Sequence, residues 1–440
     1  MKLVAQLEDL LYKAQTSPVN PELKVHDWRI VIHEAQLISL GIRDNAPGSV
    51  YTPPSYRQGE SGEIFIVWED GRLSQAQVQS LPGNNSFYGQ EQLNEWYQAA
   101  YEDPDGREIP APEAMPLVAV EDRAVQKILA GEDEILFEQL KRLLEGRPNP
   151  AKMQASIQAV WGYRHVRHSR GLAVTYQESQ YGFSFSLDSL VGGGFAKRRL
   201  IREDEWDKIW RQTLNYYQAM GHEGSPVGPQ TTVIFSPELV DSFLSQFIIP
   251  NFVGQSILEG QSSFQTEQFF NQEKVFDEGL TLLIDPLRPF ELGSYLVTSE
   301  GIAGKRTNLV QNGALITPFL RVKDARRWGG SPTAIPMGTS GLYLKHDRES
   351  ASWPEAIAGI EDGVLILSVL GMHTQNSVSG EYSLSAPQSL RIQNGKIVGK
   401  TDVKLSGNFF KDLKSPLTQY VKSELGTKPY LVVKTGLQAL

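Results

Sequence analysis

Histidine and glutamate stand side by side at a position where they could serve a zinc hydrolase. His33 and Glu34 lie in the segment WRIVIHEAQLISLGIRDN. An HExxH helix needs its second histidine at position 37, and the HExxxH spacing needs it at position 38, because two imidazoles must reach one zinc ion. The sequence has Leu37 and Ile38 there. The loose alternation of apolar and polar residues instead predicts a half-buried strand, so a structural role is favoured for both residues.

A second pair, His165 and His168, has the i, i+3 spacing that can chelate a metal ion from a helix. Arg164, Arg167 and Arg170 surround this pair. Three adjacent cations oppose the binding of a dication by Coulomb repulsion. We therefore interpret the segment as a solvent-facing basic strand end, with contact to an anion as the alternative.

Motifs for phosphate binding and for serine hydrolysis are incomplete. The triple glycine at 192–194 is followed by Phe-Ala-Lys-Arg-Arg, without the lysine and hydroxyl pair of a P-loop. A flexible turn is predicted there. The segment GTSG at 338–341 lacks the residue between the serine and the second glycine of GxSxG. The acidic pairs at 277–278 and 361–362 precede glycines and are interpreted as solvated turns.

Composition excludes several classes of function. The chain has 440 residues, no cysteine and a formal net charge of −9. Disulfides, thiol catalysis and thiolate metal sites are therefore excluded, and a cytoplasmic location is expected. The negative charge argues against a nucleic-acid surface, and no apolar run approaches the ~18 residues of a membrane span. Acidic residues within the apolar pattern of residues 1–15 predict an amphipathic helix and not a signal peptide.

Helices and strands alternate up to residue 222. Helices are predicted at 3–14, 90–101, 122–144 and 203–219, and strands at 28–43, 62–78, 156–167, 173–177 and 182–187. Asp70-Gly71 predicts a hairpin turn. Helix 122–144 has leucines at helical spacing and a stop at Gly146 and Pro148. With a linker rich in glycine and proline at 221–230, the pattern predicts an N-terminal α+β domain over residues 1–222.

Residues 223–440 are predicted to form a mostly antiparallel β domain. A strand at 232–235 leads into a helix that starts at Ser236-Pro237, where serine caps the helix and proline suits its first position. Short helices are predicted at 324–328 and 352–358. Asn394-Gly395 lies between two apolar segments and predicts a two-residue hairpin. The predicted fold class is therefore α+β, with two domains.

Six segments between Val233 and Leu425 carry the strongest ordered pattern in the chain. They are VIFSPELVDSFLSQF from Val233, GQSSF from Gly260, LTLLIDP from Leu280, SEGIAGKRTNLVQNGAL from Ser299, DARRWGGSPT from Asp324, and the stretch from Gly371 to Leu413 that contains SGEYS, QNGKI and SGN. In this order they resemble the PmbA (TldE) branch of the TldD/PmbA family. In the N-terminal part the resemblance rests on HEAQLISLGIRDN, EDGR and HSRG. It implies a two-domain protein linked to metal-dependent proteolysis.

The resemblance also implies where zinc would be bound. The catalytic TldD branch is similar to a metalloprotease with an HExxxH helix and a distant cysteine ligand. Here the helix after VIFSPE reads FLSQFIIPN, which puts Ser245-Gln246 where His-Glu would stand. Neither side chain replaces a zinc-binding imidazole or a general-base carboxylate. The resemblance thus implies no catalytic residue, metal ligand or cofactor in this chain, with zinc expected only in a TldD-type partner.

The expected partner is a TldD-type metalloprotease subunit, in a heterodimer or hetero-oligomer that takes an extended peptide into a chamber between the subunits. The alternative is a homodimer or larger homo-oligomer that binds peptides or serves as a scaffold and has lost proteolysis. Ser299, where the family commonly has an acid, and HSRG favour such divergence. No nucleic acid or membrane is expected to bind. The candidates for contact with peptide or partner are Gly371, Asn376, Gly380, Tyr382 and Ser383.

Overall fold

The N-terminal part of the chain is built around one antiparallel sheet. The computed structural model describes residues 2–48, 55–80, 88–228 and 230–439. The strands of this sheet are β1 (Val25–Arg43), β2 (Ala46–Pro47), β3 (Ser55–Trp68), β4 (Leu73–Ser80), β5 (Met153–His168), β6 (Ala173–Leu187) and β7 (Val191–Lys197). Their order is β4-β3-β1-β5-β6-β7, and β2 pairs with the end of β1. The long strands β1 and β5 form its centre.

Helices cover one face of this sheet. The helices of the N-terminal part are α1 (Lys2–Thr16), α2 (Gln90–Gln98), α3 (Arg123–Leu129), α4 (Glu134–Gly146) and α5 (Glu203–Met220), with short 3-10 turns at Pro21–Leu23 and Pro104–Gly106. Along α1, Leu3, Leu7 and Leu11 recur every four residues and are buried in one cluster with Ile30 and Ile32 of β1. Apolar residues at this spacing share one side of a helix, which explains how α1 lies on the sheet.

The other face of the sheet meets the C-terminal part of the chain. Val31 of β1 and Val166 of β5 are register partners and pack with Val297 in a small apolar cluster. Side chains alternate across a strand, so residues two positions away share this face. Arg29 opposite His168, and His33 opposite Arg164, are the polar pairs of the same face. Charged side chains are therefore enclosed between the two parts of the chain.

Three predictions for the N-terminal part are wrong in detail. The helix predicted at 122–144 is two helices, α3 and α4, and Gly131 between them has φ +111, a conformation that favours glycine. The strands predicted at 173–177 and 182–187 are one strand, β6. The triple glycine lies within strand β7 and is not a turn. A Cβ on Gly193 would come 2.6 Å from Thr213 Oγ1, so glycine allows the close approach of α5.

Two further sheets form the C-terminal part. A four-stranded sheet has the order β11-β10-β9-β12, and an eight-stranded sheet has the order β13-β17-β18-β8-β14-β15-β16-β19. Their strands are β8 (Thr232–Phe235), β9 (Leu280–Ile284), β10 (Thr307–Gln311), β11 (Ala314–Leu315), β12 (Leu342–His346), β13 (Ser350–Ser352), β14 (Asp362–Ile366), β15 (Glu381–Gln393), β16 (Lys396–Asn408), β17 (Gln419–Lys422), β18 (Tyr430–Val433) and β19 (Gly436–Ala439). Only β8 with β14 and β13 with β17 are parallel among these described strands.

Turn and capping predictions in this part are confirmed. Asn394 and Gly395 join β15 to β16 with φ values of 49 and 75, as a type I′ turn requires. Ser236 Oγ accepts from the Leu239 amide at 3.2 Å and caps the first helix, in which Pro237 is the first residue.

The helices of the C-terminal part are short. They are α6 (Pro237–Phe243), α7 (Ile249–Asn251), α8 (Gly254–Leu258), α9 (Thr266–Phe270), α10 (Val322–Trp328), α11 (Trp353–Ala358) and α12 (Phe409–Lys414), with a π turn at Leu244–Ile248 and 3-10 turns at Gly338–Gly341 and Met372–Thr374. The predicted α+β class is confirmed. No helix in the described ranges is both long enough and apolar enough to cross a membrane.

Helix α5 connects the two parts of the chain. Trp206 and Ile209 of α5 share one buried cluster with Ile234, Leu365 and Leu390 of the eight-stranded sheet. The sheets divide near residue 222, but this apolar core continues across that point. The domain bounds 1–222 and 223–440 stay a prediction, and the predicted linker includes Pro229, which lies outside the described residues.

Candidate functional site

Helix α6 and the π turn that follows it form the segment that the resemblance aligns with a zinc-binding helix. Phe243 and Phe247 are fully buried and fix one side of this segment in the core. Ser245 is exposed and Gln246 is half-buried. The position five residues after Ser245, where the HExxxH spacing has its second histidine, is Pro250. A π turn brings residues five apart to the same side of a helix, so these positions share one side.

The segment from Gly371 to Gly380, here called the 371–380 loop, lies against this helix. The loop is held by its backbone carbonyl groups. Gln246 Nε2 donates to the Gln375 carbonyl at 3.0 Å, Asn251 Nδ2 donates to the Ser377 carbonyl at 2.7 Å, and Ser263 Oγ donates to the Val378 carbonyl. Residues separated by more than 100 positions in sequence are thus brought together at one site.

Asn251 is the most buried member of this contact, with 1% of its surface exposed. Its Nδ2 also donates to the Phe247 carbonyl at 2.8 Å, and its Oδ1 accepts from the Ser263 amide at 2.7 Å. Both sides of the amide are therefore used, as a buried polar group requires. Asn251 fixes the loop to the helix.

Three of the predicted site residues give the loop its shape. Gly371 and Gly380 have φ +90 and +68, which favours glycine. A Cβ on Gly380 would also come 2.6 Å from the Phe410 ring. Asn376 Oδ1 accepts from the Val378 amide at 2.9 Å, the short-range contact of an Asx turn. Asn376 is exposed at the surface of the loop.

The other two predicted site residues lie beyond the loop on β15 and face in opposite directions. Ser383 is exposed, and its amide donates to Gln375 Oε1 at 2.9 Å. Tyr382 is 3% exposed, and its hydroxyl donates to Asp412 Oδ2 at 2.9 Å and lies 2.8 Å from Thr435 Oγ1. Tyr382 is thus a core residue in this conformation. Contact of any of the five residues with peptide or partner stays a prediction.

The Asp412 carboxyl under Tyr382 is 7% exposed. Burial raises the pKa of Asp412 to about 6, although the hydrogen bond from Tyr382 favours the charged form. Two buried polar groups thus support β15 at the point where the loop joins it.

The face of the N-terminal sheet that meets the C-terminal part holds a second set of charged side chains. His33 Nδ1 lies 3.3 Å from Glu178 Oε1, and Arg198 Nη1 donates to Glu178 Oε2 at 3.2 Å. Burial alone would raise the pKa of Glu178. The hydrogen bond with His33 and the positive charges of Arg198 and Arg164 outweigh burial and hold the pKa at about 2. The strand predicted around His33 is confirmed, and His33 is bonded to a carboxylate.

The interpretation of His165 and His168 as a solvent-facing strand end is wrong. They are 2% and 3% exposed. Because they are three residues apart on a strand, they point to opposite faces and cannot bind one ion together. His165 Nδ1 lies 3.0 Å from Thr175 Oγ1. Burial, with the charges of Arg29 and Arg170, lowers the pKa of His168 to about 4.

Two cavities lie between the parts of the chain. A groove of about 650 Å³ runs between α5 and the eight-stranded sheet, with the stacked rings of Trp353 and Tyr430, 4.1 Å apart, in its wall. A smaller cavity of about 110 Å³ is lined by Arg164, Glu300 and Arg321. Sequence reasoning identified neither cavity. The arginines around the histidine pair were the one signal that pointed toward the smaller cavity.

Side chains that can bind metal ions are not clustered in the part of the chain that the structure describes. No cluster of three or more histidine, cysteine, aspartate or glutamate side chains is placed to hold a metal ion there. Ser245, Gln246 and Pro250 supply no imidazole, so this helix does not fit a zinc ion of the HExxxH type.

The C-terminal part of the chain is similar to a known protein family. Residues 228–432 match the family described as the PmbA/TldA metallopeptidase C-terminal domain. The resemblance to the TldD/PmbA family is confirmed. All six ordered segments lie inside this matched range.

Two relatives and one solved structure are similar to the chain. A protein of Methanocaldococcus jannaschii, named only as uncharacterized, is 23% identical over 305 residues, which are 66% of this chain and 70% of that protein. A protein of Methanothermobacter thermautotrophicus named metalloprotease is 27% identical over 245 residues, 53% of this chain and 52% of that protein. The crystal structure of TldE from Thermococcus kodakarensis superimposes with a TM-score of 0.78 at 18% identity, over 99% of this chain and 100% of that one. This last likeness shows that the two proteins share a fold.

Proposed function

We propose that this chain is the PmbA/TldE-like, non-catalytic subunit of a TldD/PmbA-type metalloprotease complex that degrades unfolded peptides. Its partner is a TldD-type subunit that carries the HExxxH helix and the zinc ion. This chain contributes part of the surface that holds the peptide. Zinc supplies the Lewis acid and the activated water of peptide hydrolysis, and it does so in the partner.

The observation that carries this proposal is the contact of Gln246 with the 371–380 loop. The side chain that stands at the position of a general-base glutamate is an amide, and its donor is bonded to the Gln375 carbonyl at 3.0 Å. An amide has no basic oxygen that can take a proton from water at neutral pH. This chain keeps a helix where the catalytic branch of the family has its zinc-binding helix, but here the helix anchors a loop.

The strands of the C-terminal part support a role in peptide binding. The eight-stranded sheet ends in β19, whose Gly436, Gln438 and Ala439 are exposed. An edge strand can hold an extended peptide by main-chain hydrogen bonds, which are largely independent of the peptide's sequence. A subunit of this kind would position unfolded segments for a catalytic site on its partner.

The test of this function is association with a paralogue. The purified chain is mixed with the closest HExxxH-bearing paralogue of the same cell, and size-exclusion chromatography with light scattering gives the mass of each protein alone and of the mixture. A mass equal to the sum of both chains supports the proposal. If the mixture shows only the masses of the separate proteins at micromolar concentration, the proposal fails, and a homo-oligomeric mass for this chain would then favour the peptide-binding scaffold.

A further inference from the structure

A buried arginine side chain lies between the N-terminal sheet and the C-terminal part. Arg164 is 7% exposed and lines the cavity of about 110 Å³. Its Nε is buried and has no hydrogen-bond partner among the described residues. Buried charges in proteins are normally paired, because an unpaired charge loses its hydration without compensation.

Two acidic side chains in the surroundings of Arg164 already have hydrogen bonds. The positive charge of Arg164 is one of the causes that lower the pKa of Glu178, but the oxygens of Glu178 are bonded to His33 and Arg198. Glu300 lines the same cavity, and its Oε2 accepts from the Val322 amide at 3.0 Å. The Arg164 guanidinium is therefore available to a ligand that enters the cavity.

Further positive charge surrounds the cavity. Arg321 lines it from the C-terminal part and is exposed, so it stands on the side of solvent. Arg29 lies on the same sheet face as Arg164, is 8% exposed and stacks its guanidinium 4.7 Å above the Phe65 ring. Arg164 and Arg321 thus line the cavity, against the single acidic residue Glu300.

We propose that this cavity binds one carboxylate group, namely the free C-terminus of a peptide. The planar fork of an arginine matches the two oxygens of a carboxylate, which gives a bidentate contact. The volume is several times the ~30 Å³ that one water molecule takes up in the liquid. The carboxylate of Glu300 opposes a dianion more than a monoanion by Coulomb repulsion, which favours carboxylate over phosphate.

Apolar residues complete the site. Val297, Ile335, Pro336 and Met337 line the same cavity, and Met337 is 41% exposed. They provide a wall for the side chain of the last residue of the peptide. A free C-terminus with an apolar final residue is thus the ligand that fits the charges and the wall together. The choice of a peptide as the source of the carboxylate rests on the proposed function, whereas recognition of the carboxylate does not.

The test measures binding of Ala-Ala-Leu as the free acid and as the C-terminal amide to the purified full chain by isothermal titration calorimetry. The free acid is expected to bind at least about tenfold more tightly than the amide, since a charge-assisted hydrogen bond is lost on amidation. Arg164→Gln and Arg321→Gln should each weaken binding of the free acid by a similar factor. Arg123→Gln, at an exposed position on α3, is the matched control and should leave the affinity unchanged.

Competition with acetate and with inorganic phosphate distinguishes the sources of the anion. Displacement of the free acid by millimolar acetate, but not by phosphate at the same concentration, supports recognition of a carboxylate.

Equal affinity of the acid and the amide, or unchanged binding by both arginine variants, would overturn the proposal. Tighter binding of acetate than of the peptide would overturn the assignment to a peptide C-terminus. Because Arg321 is exposed, its variant tests the site even if Arg164→Gln does not fold. No partner subunit is present, so failure here leaves the association test of the proposed function untouched.

Discussion

The side-chain amide of Gln246 donates a hydrogen bond of 3.0 Å to the backbone carbonyl of Gln375. The two residues come from the helix that the family resemblance aligns with a zinc site and from the loop that the same resemblance marks for contact with peptide or partner. The helix in this chain therefore holds the loop in place. Asn251 and Ser263 make the same kind of contact with the carbonyl groups of Ser377 and Val378.

Replacement of Gln246 by methionine removes this hydrogen bond while keeping the length of the side chain. We expect Gln246→Met to lower the free energy of unfolding by about 1 kcal/mol, because the Gln375 carbonyl loses its donor in a half-buried place. Urea unfolding followed by circular dichroism measures it. Gln261→Met, at an exposed position nearby, is the control. Equal stability of the two variants would show that the contact contributes nothing.

Val378 presents an apolar side chain, 39% exposed, on the 371–380 loop. If the loop faces peptide or partner, Val378→Asp should lower the rate of peptide cleavage by the mixed subunits about tenfold, since a charge must then be desolvated at the contact. Val19→Asp, at a position that is 86% exposed in the N-terminal part, should leave the rate unchanged. Identical cleavage rates for both variants would show that the 371–380 loop does not contact peptide or partner.

Asp412 makes the stability of the chain depend on pH in an unusual direction. Its folded-state pKa is raised from 3.8 to about 6, so the folded state binds the proton more tightly than the unfolded state. The stabilisation is complete below about pH 4 and is lost as the pH rises through about 6, with a total of about 3 kcal/mol. Asp412→Asn should remove this dependence, whereas the exposed Asp347→Asn should keep it. Urea unfolding at about pH 4 and pH 8 compares the variants, and parallel curves for wild type and Asp412→Asn would contradict the assignment.

Glu178 makes the stability of the chain depend on pH in the opposite direction. Its pKa is lowered from 4.5 to about 2, so it stabilises the fold above about pH 4.5 and this contribution is lost as the pH falls toward 2. Glu178→Gln should cost about 3 kcal/mol at neutral pH, because Arg198, 5% exposed, would lose its carboxylate. The difference from wild type should shrink in acid. Exposed Glu113→Gln is the control, and a loss independent of pH would indicate a packing effect alone.

Local signals were sufficient for most of the fold. The Asn394-Gly395 turn, the cap at Ser236 and the period of the leucines in α1 depend on neighbours within a few residues, and each was predictable from them. The triple glycine was misinterpreted because the contact that requires it involves residues distant in sequence. Gly193 is small so that Ile209 and Thr213 of α5 can approach, and no local pattern contains that contact.

The candidate site was predictable only in part. The sequence identified the 371–380 loop and Ser245-Gln246 separately, but their contact joins residues about 130 positions apart. His165 and His168 were expected at the surface because of their basic neighbours. His168 is buried because the C-terminal part covers its face of the sheet, with Gly301 close to it, whereas His165 lies on the opposite face, which the helices cover. Burial of this kind depends on how the two parts pack, which neither composition nor periodicity encodes.

Cleavage of an unstructured peptide tests the central claim most directly. The chain alone, its HExxxH-bearing paralogue alone and an equimolar mixture are assayed with and without a metal chelator. We predict no cleavage by this chain alone, and cleavage in the mixture that is much faster than with the paralogue alone and is abolished by the chelator. Cleavage by this chain alone would contradict the account, because it would require an active site that neither Gln246 nor any described metal-binding group supplies.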